Sequence, residues 1–494
     1  MLFRQSKNSF IRVTPHYGYI TNQLTYHDRV YDDNGAKFLS AITRKPKTLK
    51  KILSELQEHF VDVNEEILKK DFLEFAEDLA RDKFIVMGES VEELETKDEE
   101  FTYDIENPKT LKTDFTQQTS ESISQNTQDY FLEKNQGTPL ISNLQLELSS
   151  RCNERCIHCY IPTAKKNSGT DMPFNLFKKI VDEFVKMGGI SITLSGGEAF
   201  LHKDIIPMLN YCRENDLKIT ILSNLLNLTE SLKKALKDCN VSLVQVSLYS
   251  MNPEIHDTIT TVKGSYEKTL KSIEDLVEAD VPVQISCPLM KANKDGYGEV
   301  LQYAKSLKIK AQTDYIMMAQ ADLDTTNLSQ RLSIDETEKV LRDLIEYDDD
   351  YKENLTLIKP LDSKKELNQE AYLNEPLCGV GYDNCCITVN GDVYPCAGWQ
   401  NFILGNVYKT SLKEIWEKSE RINRLRTVTR ASFPKCLDCE AKQYCAMCLV
   451  RNYNESNGDM FKINDHFCQV AFLNKKIAEE SLKDKLNELK TLFY

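Results

Sequence analysis

Cys152, Cys156 and Cys159 stand in a Cx3Cx2C pattern within residues 149–160. Soft thiolates select zinc, copper(I) or iron–sulfur clusters. The count is informative. A structural zinc site closes with four ligands, and a four-iron cluster is ordinarily held by four cysteines. Three thiols on a four-iron cluster would leave one iron open for a substrate or cofactor. A zinc loop is the alternative reading of the same spacing. Toward the C-terminus, Cys378, Cys385, Cys386, Cys396, Cys436, Cys439, Cys445, Cys448 and Cys468 fall within 91 residues. Two CxxC pairs in that array form a second metal signature, for which zinc ribbons are the alternative. Between the arrays, Ser195-Gly196-Gly197-Glu198 combines glycines that permit close backbone approach with a carboxylate able to accept from an ammonium.

These groups need elements that bring them together. Residues 144–148 alternate apolar and polar and read as a strand ending at the first cysteine loop. Beyond it, strands at 190–194, 218–222, 243–248, 281–286 and 311–316 alternate with amphipathic helices at 174–187, 204–215, 228–237, 266–279 and 297–307. Such alternation implies a parallel sheet, and six strands suit a partial (β/α)6 TIM-like barrel. Active residues then belong at the strands' C-terminal ends. Gly196, Gly197 and Glu198 follow the second strand, Ser223 the third and Ser247 the fourth. Cys287 follows the fifth and reads as buried, as do Cys212 and Cys239 in helices.

The remaining chain divides by composition. Residues 1–95 show short strands, then three helices at 36–43, 48–60 and 64–82 and a strand at 84–86: a winged-helix-like α+β module. Residues 96–140 are polar and read as a linker that would let the module swing. Residues 141–320 hold the barrel, and 321–375 a charged helical bridge. Residues 376–470 hold the cysteine array, with a hairpin turn at Asn390-Gly391. A helix at 471–494 reads as packing or an interface. The chain has 494 residues, fifteen cysteines and a net charge of −14. That charge disfavours nucleic acid and anionic membranes as partners. No apolar run approaches a membrane span and no signal peptide is evident, so a cytoplasmic location and metal-bound cysteines are expected.

The first cysteine loop, with Tyr160 after it and a GGE sequence one helix later, resembles that of the radical S-adenosylmethionine (SAM) enzymes. The resemblance implies a [4Fe–4S] cluster on Cys152, Cys156 and Cys159. SAM would be chelated by its open iron, with Gly196, Gly197, Glu198, Ser223 and Ser247 around it. Reductive cleavage of SAM in that family yields a 5′-deoxyadenosyl radical that abstracts hydrogen. The C-terminal array is similar to a SPASM domain, which implies two auxiliary [4Fe–4S] clusters. One would take Cys378, Cys396, Cys448 and either Cys385 or Cys386. The other would take Cys436, Cys439, Cys445 and Cys468. The pattern Asp33-Asn34-Gly35-Ala36, Thr48-Leu49-Lys50-Lys51-Ile52, Phe72-Leu73-Glu74-Phe75 and Phe84-Ile85-Val86 resembles the PqqD-like recognition element of peptide maturases. Members of that family bind a precursor's leader as an added strand.

Together these resemblances imply a radical SAM oxidoreductase that matures a ribosomally made precursor peptide. A thioether cross-link is the first expectation. Carbon–carbon or ether cross-links and epimerisation are alternatives, the last needing a thiol hydrogen donor such as Cys287, Cys385 or Cys386. Formylglycine-type maturation of a protein is a further rival, and a zinc-containing peptide-binding chaperone a non-enzymatic one. An electron donor such as flavodoxin or ferredoxin is the expected second partner.

Overall fold

The computed structural model describes residues 1–25, 27–99, 137, 139–166, 168–348, 351–353, 355 and 369–492. Most of the expected linker, and residues 349–350, 354 and 356–368 of the expected bridge, lie outside these residues.

The N-terminal unit contains two antiparallel three-stranded sheets. One has the order β5 (Lys47–Thr48), β1 (Leu2–Gln5), β6 (Ile85–Gly88). The other runs β2 (Ser9–Val13), β3 (Gly18–Asn22), β4 (Asp28–Tyr31). Helices α1 (Asp33–Ala41), α2 (Leu49–Gln57) and α3 (Glu65–Arg81) start where side chains cap them. Thr48 accepts from Lys51 N and Asn64 from Glu66 N, satisfying amides that a helix start leaves unpaired. Their apolar faces, Ile52, Leu53 and Leu56 on α2 and Leu68, Phe72, Ala76 and Leu79 on α3, pack with Phe3 and Phe84 into one core.

Past β6 a helix, α4 (Val91–Lys97), capped by Ser90 and pinned by the buried Leu94, runs from the module into the start of the expected linker. Asp98 beyond it accepts from Arg4, from Ser6 Oγ at 2.7 Å and from Lys7 N at 3.0 Å. Charge density hid one apolar anchor.

The module is fastened to the barrel. Asp216 accepts from Gln5 Nε2 at 2.9 Å and Ile11 N at 2.7 Å and pairs with Arg44. Arg12 donates to the Gly189, Asn215 and Asp216 carbonyls, and Asn240 Nδ2 donates to Lys7 O at 2.8 Å. Asp216 and Asn240 adopt positive φ, 56° and 48°, in turns that enter barrel strands. The module therefore sits against the strands' N-terminal ends. Asp216→Ala would strip the hub from a guanidinium, an amide and a backbone N–H. We expect a loss of about 2–4 kcal/mol at this junction, read as faster amide exchange in β2 with exchange in the barrel core unchanged.

The barrel strands are β7 (Asn143–Ser149), β8 (Ser191–Gly196), β9 (Lys218–Ser223), β10 (Leu243–Ser247), β11 (Val283–Pro288) and β12 (Lys310–Asp314). All pair in parallel, in sequence order. Leu144, Leu146, Ile192, Leu194, Ile219, Ile221, Val244 and Val246 face the surrounding helices and are buried. The other face is polar: Gln145 bonds Ser195 Oγ at 2.8 Å, and Gln245 bonds Gln284 Oε1 at 3.5 Å. The expected six-stranded partial barrel is present.

One element lay beyond sequence reading. β13 (Asn384–Ile387) pairs in parallel with β7, followed by β14 (Asp392–Tyr394) and β15 (Gly405–Asn406), making one nine-stranded sheet. The cysteine-rich region is continuous with the barrel. Gly391, at φ 79°, turns the β13–β14 hairpin. The C-terminal helix, Asp465–Leu492, begins earlier than its periodicity suggests and carries Cys468 near its start. No described helix is long and apolar enough to cross a membrane.

Candidate cluster and cofactor site

The first cysteine loop leaves β7 and is tied down on both flanks. Arg155 N and Ile157 N donate at 3.0 Å to the Thr260 and Ile259 carbonyls, at the end of helix Pro253–Thr260. On the other flank, Gly197 N donates to Ser149 O and Glu198 N to Arg151 O, each at 2.8 Å. A Cβ at Gly196 would stand 2.4 Å from Ser149 O, and one at Gly197 2.4 Å from Arg151 O. Gly196 also sits at φ 133°. The glycines thus answer to the cysteine loop itself: only bare backbone lets the two strand ends lie this close.

Glu198 is fully buried. It accepts from Ser223 Oγ at 2.7 Å, Phe200 N at 2.9 Å and Asn224 N at 2.8 Å. Burial raises its pKa against those three donors. Ser223 is thereby committed to holding Glu198. Ser247 closes β10, two residues before the buried Tyr249. Glu154, inside the cysteine loop, was missed by sequence reasoning. It is 3% exposed, its pKa is raised to about 7 by burial, and it accepts from Cys156 Sγ at 3.3 Å. Lys166 faces the same three thiols: burial opposes its charge, but Cys159, Cys152 and Cys156 outweigh it and raise its pKa.

The C-terminal thiols sort into two groups. Cys436, Cys439, Cys445 and Cys468 line one cavity of about 320 Å³, whose wall Cys448 also reaches. Burial pushes the Cys445 thiol up to about 11, reinforced by Cys468, Cys436 and Cys439. That space far exceeds the roughly 30 Å³ share of one water molecule. In the second group, burial raises Cys396 to about 11, with Cys448 and Cys378 adding to it. Cys386, fully buried, feels Cys396. Its neighbour Cys385 points the other way on β13, into the apolar core shared with Ile387 and Val393. Cys287, Cys212 and Cys239 lie in that core too.

Residues 146–320 match the radical SAM superfamily, and residues 378–440 match the iron–sulfur cluster-binding SPASM domain. The chain is a radical SAM enzyme. Its cofactors are SAM and [4Fe–4S] clusters, auxiliary clusters included. It is 28% identical over 323 residues to the AdoMet-dependent heme synthase of Methanosarcina barkeri, covering 62% of this chain and 90% of that protein. It is 26% identical over 332 residues to the antilisterial bacteriocin subtilosin biosynthesis protein AlbA of Bacillus subtilis, covering 64% of this chain and 69% of that one. In structure it is similar to Streptococcus suis SuiB bound to precursor peptide SuiA. The TM-score is 0.62 at 16% identity, over 94% of this chain and 99% of that one.

The radical SAM residues fit such groups. Among the described residues no three Cys, His, Asp or Glu side chains stand close enough to grip a single metal ion. The loop thiols are free. The cavity at Cys436–Cys468 offers five thiols around room for a cluster.

A carboxylate outside the cysteine pattern joins the two regions. Glu147, on the polar face of β7, accepts from Tyr394 Oη at 2.7 Å and Gln400 Nε2 at 2.5 Å. Gln400 in turn accepts from Lys165 at 2.9 Å. Burial raises the Glu147 pKa to about 7, against the Tyr394 hydrogen bond and Lys165. The period-2 alternation of residues 144–148 placed it on a polar face. Nothing in that alternation said that face would be enclosed by residues some 250 positions away.

Proposed function

We propose that the chain matures a ribosomally made precursor peptide, forming an intramolecular thioether cross-link. The observation that carries the peptide reading is an open strand edge in the N-terminal module. The outer side of β2 is taken: Ile11 N donates to Asp216, and Ser9 O accepts from Gln5 and Arg44. β4, at the other edge of that sheet, has no further strand beside it among the described residues. α3 flanks it, through Arg29 to Asp78 and Asp82 and through Tyr31 against Phe75. A leader adding as a strand would find backbone partners on β4 and a wall on α3. This is the PqqD-like binding mode. AlbA by its name serves bacteriocin synthesis, and the SuiB fold, met with a precursor peptide, spans 94% of this chain. The heme synthase match spans 62%.

In this reading Cys152, Cys156 and Cys159 hold the SAM cluster, and Glu198 with Gly196 and Gly197 shapes the SAM amino-group site. Bound SAM, on reduction, supplies the radical that abstracts a substrate hydrogen. Cys378, Cys386, Cys396 and Cys448 hold one auxiliary cluster, and Cys436, Cys439, Cys445 and Cys468 the other. Cys385, in apolar packing, holds none. Closing the bond would leave one electron over, which an auxiliary cluster held by these cysteines would accept and pass on, and a flavodoxin or ferredoxin would supply the reducing electron. Epimerisation is disfavoured because Cys287 and Cys385, two of its three candidate donors, are sealed in the core.

The test is mass spectrometry of the precursor peptide encoded beside this protein, after anaerobic reaction with SAM and reductant. We expect a loss of two hydrogens that prior alkylation of the peptide's cysteines prevents. The same loss with blocked cysteines would replace the thioether with a carbon–carbon or ether link. Deuterium uptake without mass loss would indicate epimerisation. An unmodified peptide, with SAM still cleaved, would overturn the peptide reading.

A further inference from the structure

Tyr249, just past the end of β10, is fixed more completely than packing requires. Its backbone N donates to His256 Nδ1 at 3.3 Å, and its carbonyl accepts from Asn293 Nδ2 at 2.9 Å. The ring meets His158 edge-on at 5.0 Å and His256 at 5.4 Å. The residue is 3% exposed. All this restraint delivers one polar atom. The hydroxyl donates to Cys156 Sγ at 3.7 Å.

Lys166 places a positive charge near the loop thiols, and Ile255, Ile259, Met290 and Met317 close an apolar cluster around Tyr249 and Cys156. In such a low-dielectric setting a directed O–H acts strongly on the sulfur that it meets.

We propose that Tyr249 is a positioning residue for the SAM cluster: its hydroxyl donates a hydrogen bond to the Cys156 sulfur and raises the cluster's reduction potential. The inference rests on the assignment of Cys156 as a cluster ligand. Hydrogen bonds to cluster sulfurs and burial are the protein's levers on potential, and groups bonded to a metal's ligands tune it in turn. A donor stabilises the more electron-rich, reduced state, because added charge is shared onto the sulfurs. Ser247, two residues before Tyr249, closes β10 at the strand end where SAM is expected, so the donor stands beside that pocket. By reciprocity, whatever SAM does to the potential, reduction does to SAM affinity.

The experiment is EPR-monitored redox titration of the reconstituted full chain, native and Tyr249→Phe, with and without SAM. Removing one oxygen leaves the ring packing intact. We expect unchanged iron content, a midpoint of the SAM cluster displaced to more negative potential, and a smaller SAM-induced change in that midpoint. Equal midpoints in native and Tyr249→Phe protein at equal iron content would overturn the proposal. Should Tyr249→Phe lose iron, the native protein still decides. ENDOR of its reduced SAM cluster in H2O and D2O should show a strongly coupled exchangeable proton, and the absence of one would sink the idea. Loss of EPR signal from a Cys156→Ala variant separates failure of the ligand assignment from failure of the hydrogen bond.

Discussion

A Cys152→Ala/Cys156→Ala/Cys159→Ala variant, reconstituted anaerobically, will hold about eight irons per chain where the native protein holds about twelve, and will not cleave SAM. The three thiols sit on a loop pinned by Thr260 O, Ile259 O, Ser149 O and Arg151 O, all backbone acceptors. None of those bonds involves a cysteine side chain, so the loop should keep its path when the sulfurs are gone. The SPASM thiols stand elsewhere in the chain: Cys386 on β13, Cys396 just past β14, Cys468 on the helix that begins at Asp465, and Cys378, Cys436, Cys439, Cys445 and Cys448 on other segments of the C-terminal region. The two auxiliary signals should therefore persist in EPR while the SAM-responsive one disappears. Loss of all iron would instead mean that the regions assemble as one unit. Zinc in place of iron in the native protein would return the zinc alternative for the same cysteines.

The second large effect is a pH dependence. Burial raises the Glu147 pKa from 4.5 to about 7. The folded chain thus keeps this proton where the unfolded chain has released it. Stability from Glu147 is fully present below pH 4.5 and is lost as pH rises to about 7. At 1.36 kcal/mol per pKa unit the loss is on the order of 3 kcal/mol. Glu147→Gln keeps an oxygen that can accept from Tyr394 and Gln400, both of which now donate to Oε1, and it cannot ionise. Urea unfolding of the reconstituted proteins should give similar midpoints at pH 5 and a higher midpoint for the variant at pH 8. Parallel curves across that range would show that Glu147 stays ionised through a partner stronger than Lys165.

The parallel strands were legible because each is short, apolar on one face and bounded by an amphipathic helix, and the cysteine spacings were legible because ligands cluster in sequence. What escaped depends on distant partners. Period-2 alternation requires Cys385 and Cys386 to face opposite ways. Which one meets Cys396 is decided by the pairing of β13 with β7, and no local pattern encodes that. Asp216 falls between a helix and a strand and carries no local signal of its own. Its work as the module's anchor needs Gln5, Ile11 and Arg44, more than 170 residues earlier. Ser223, placed toward SAM by its position at a strand end, spends its hydroxyl on Glu198.

The pairing of β13 on β7 also sets a timetable. During synthesis β7 gains its β8 neighbour early, but its other side must wait for Asn384–Ile387. That strand follows roughly 235 residues later, on the order of ten to fifty seconds at 5–20 residues per second. For that interval the nascent barrel presents a bare row of amides and carbonyls beside the loop of Cys152, Cys156 and Cys159. Unpaired edges of this kind invite pairing with other chains. Truncations ending before β13 should accumulate as aggregates, and those ending after β15 should not.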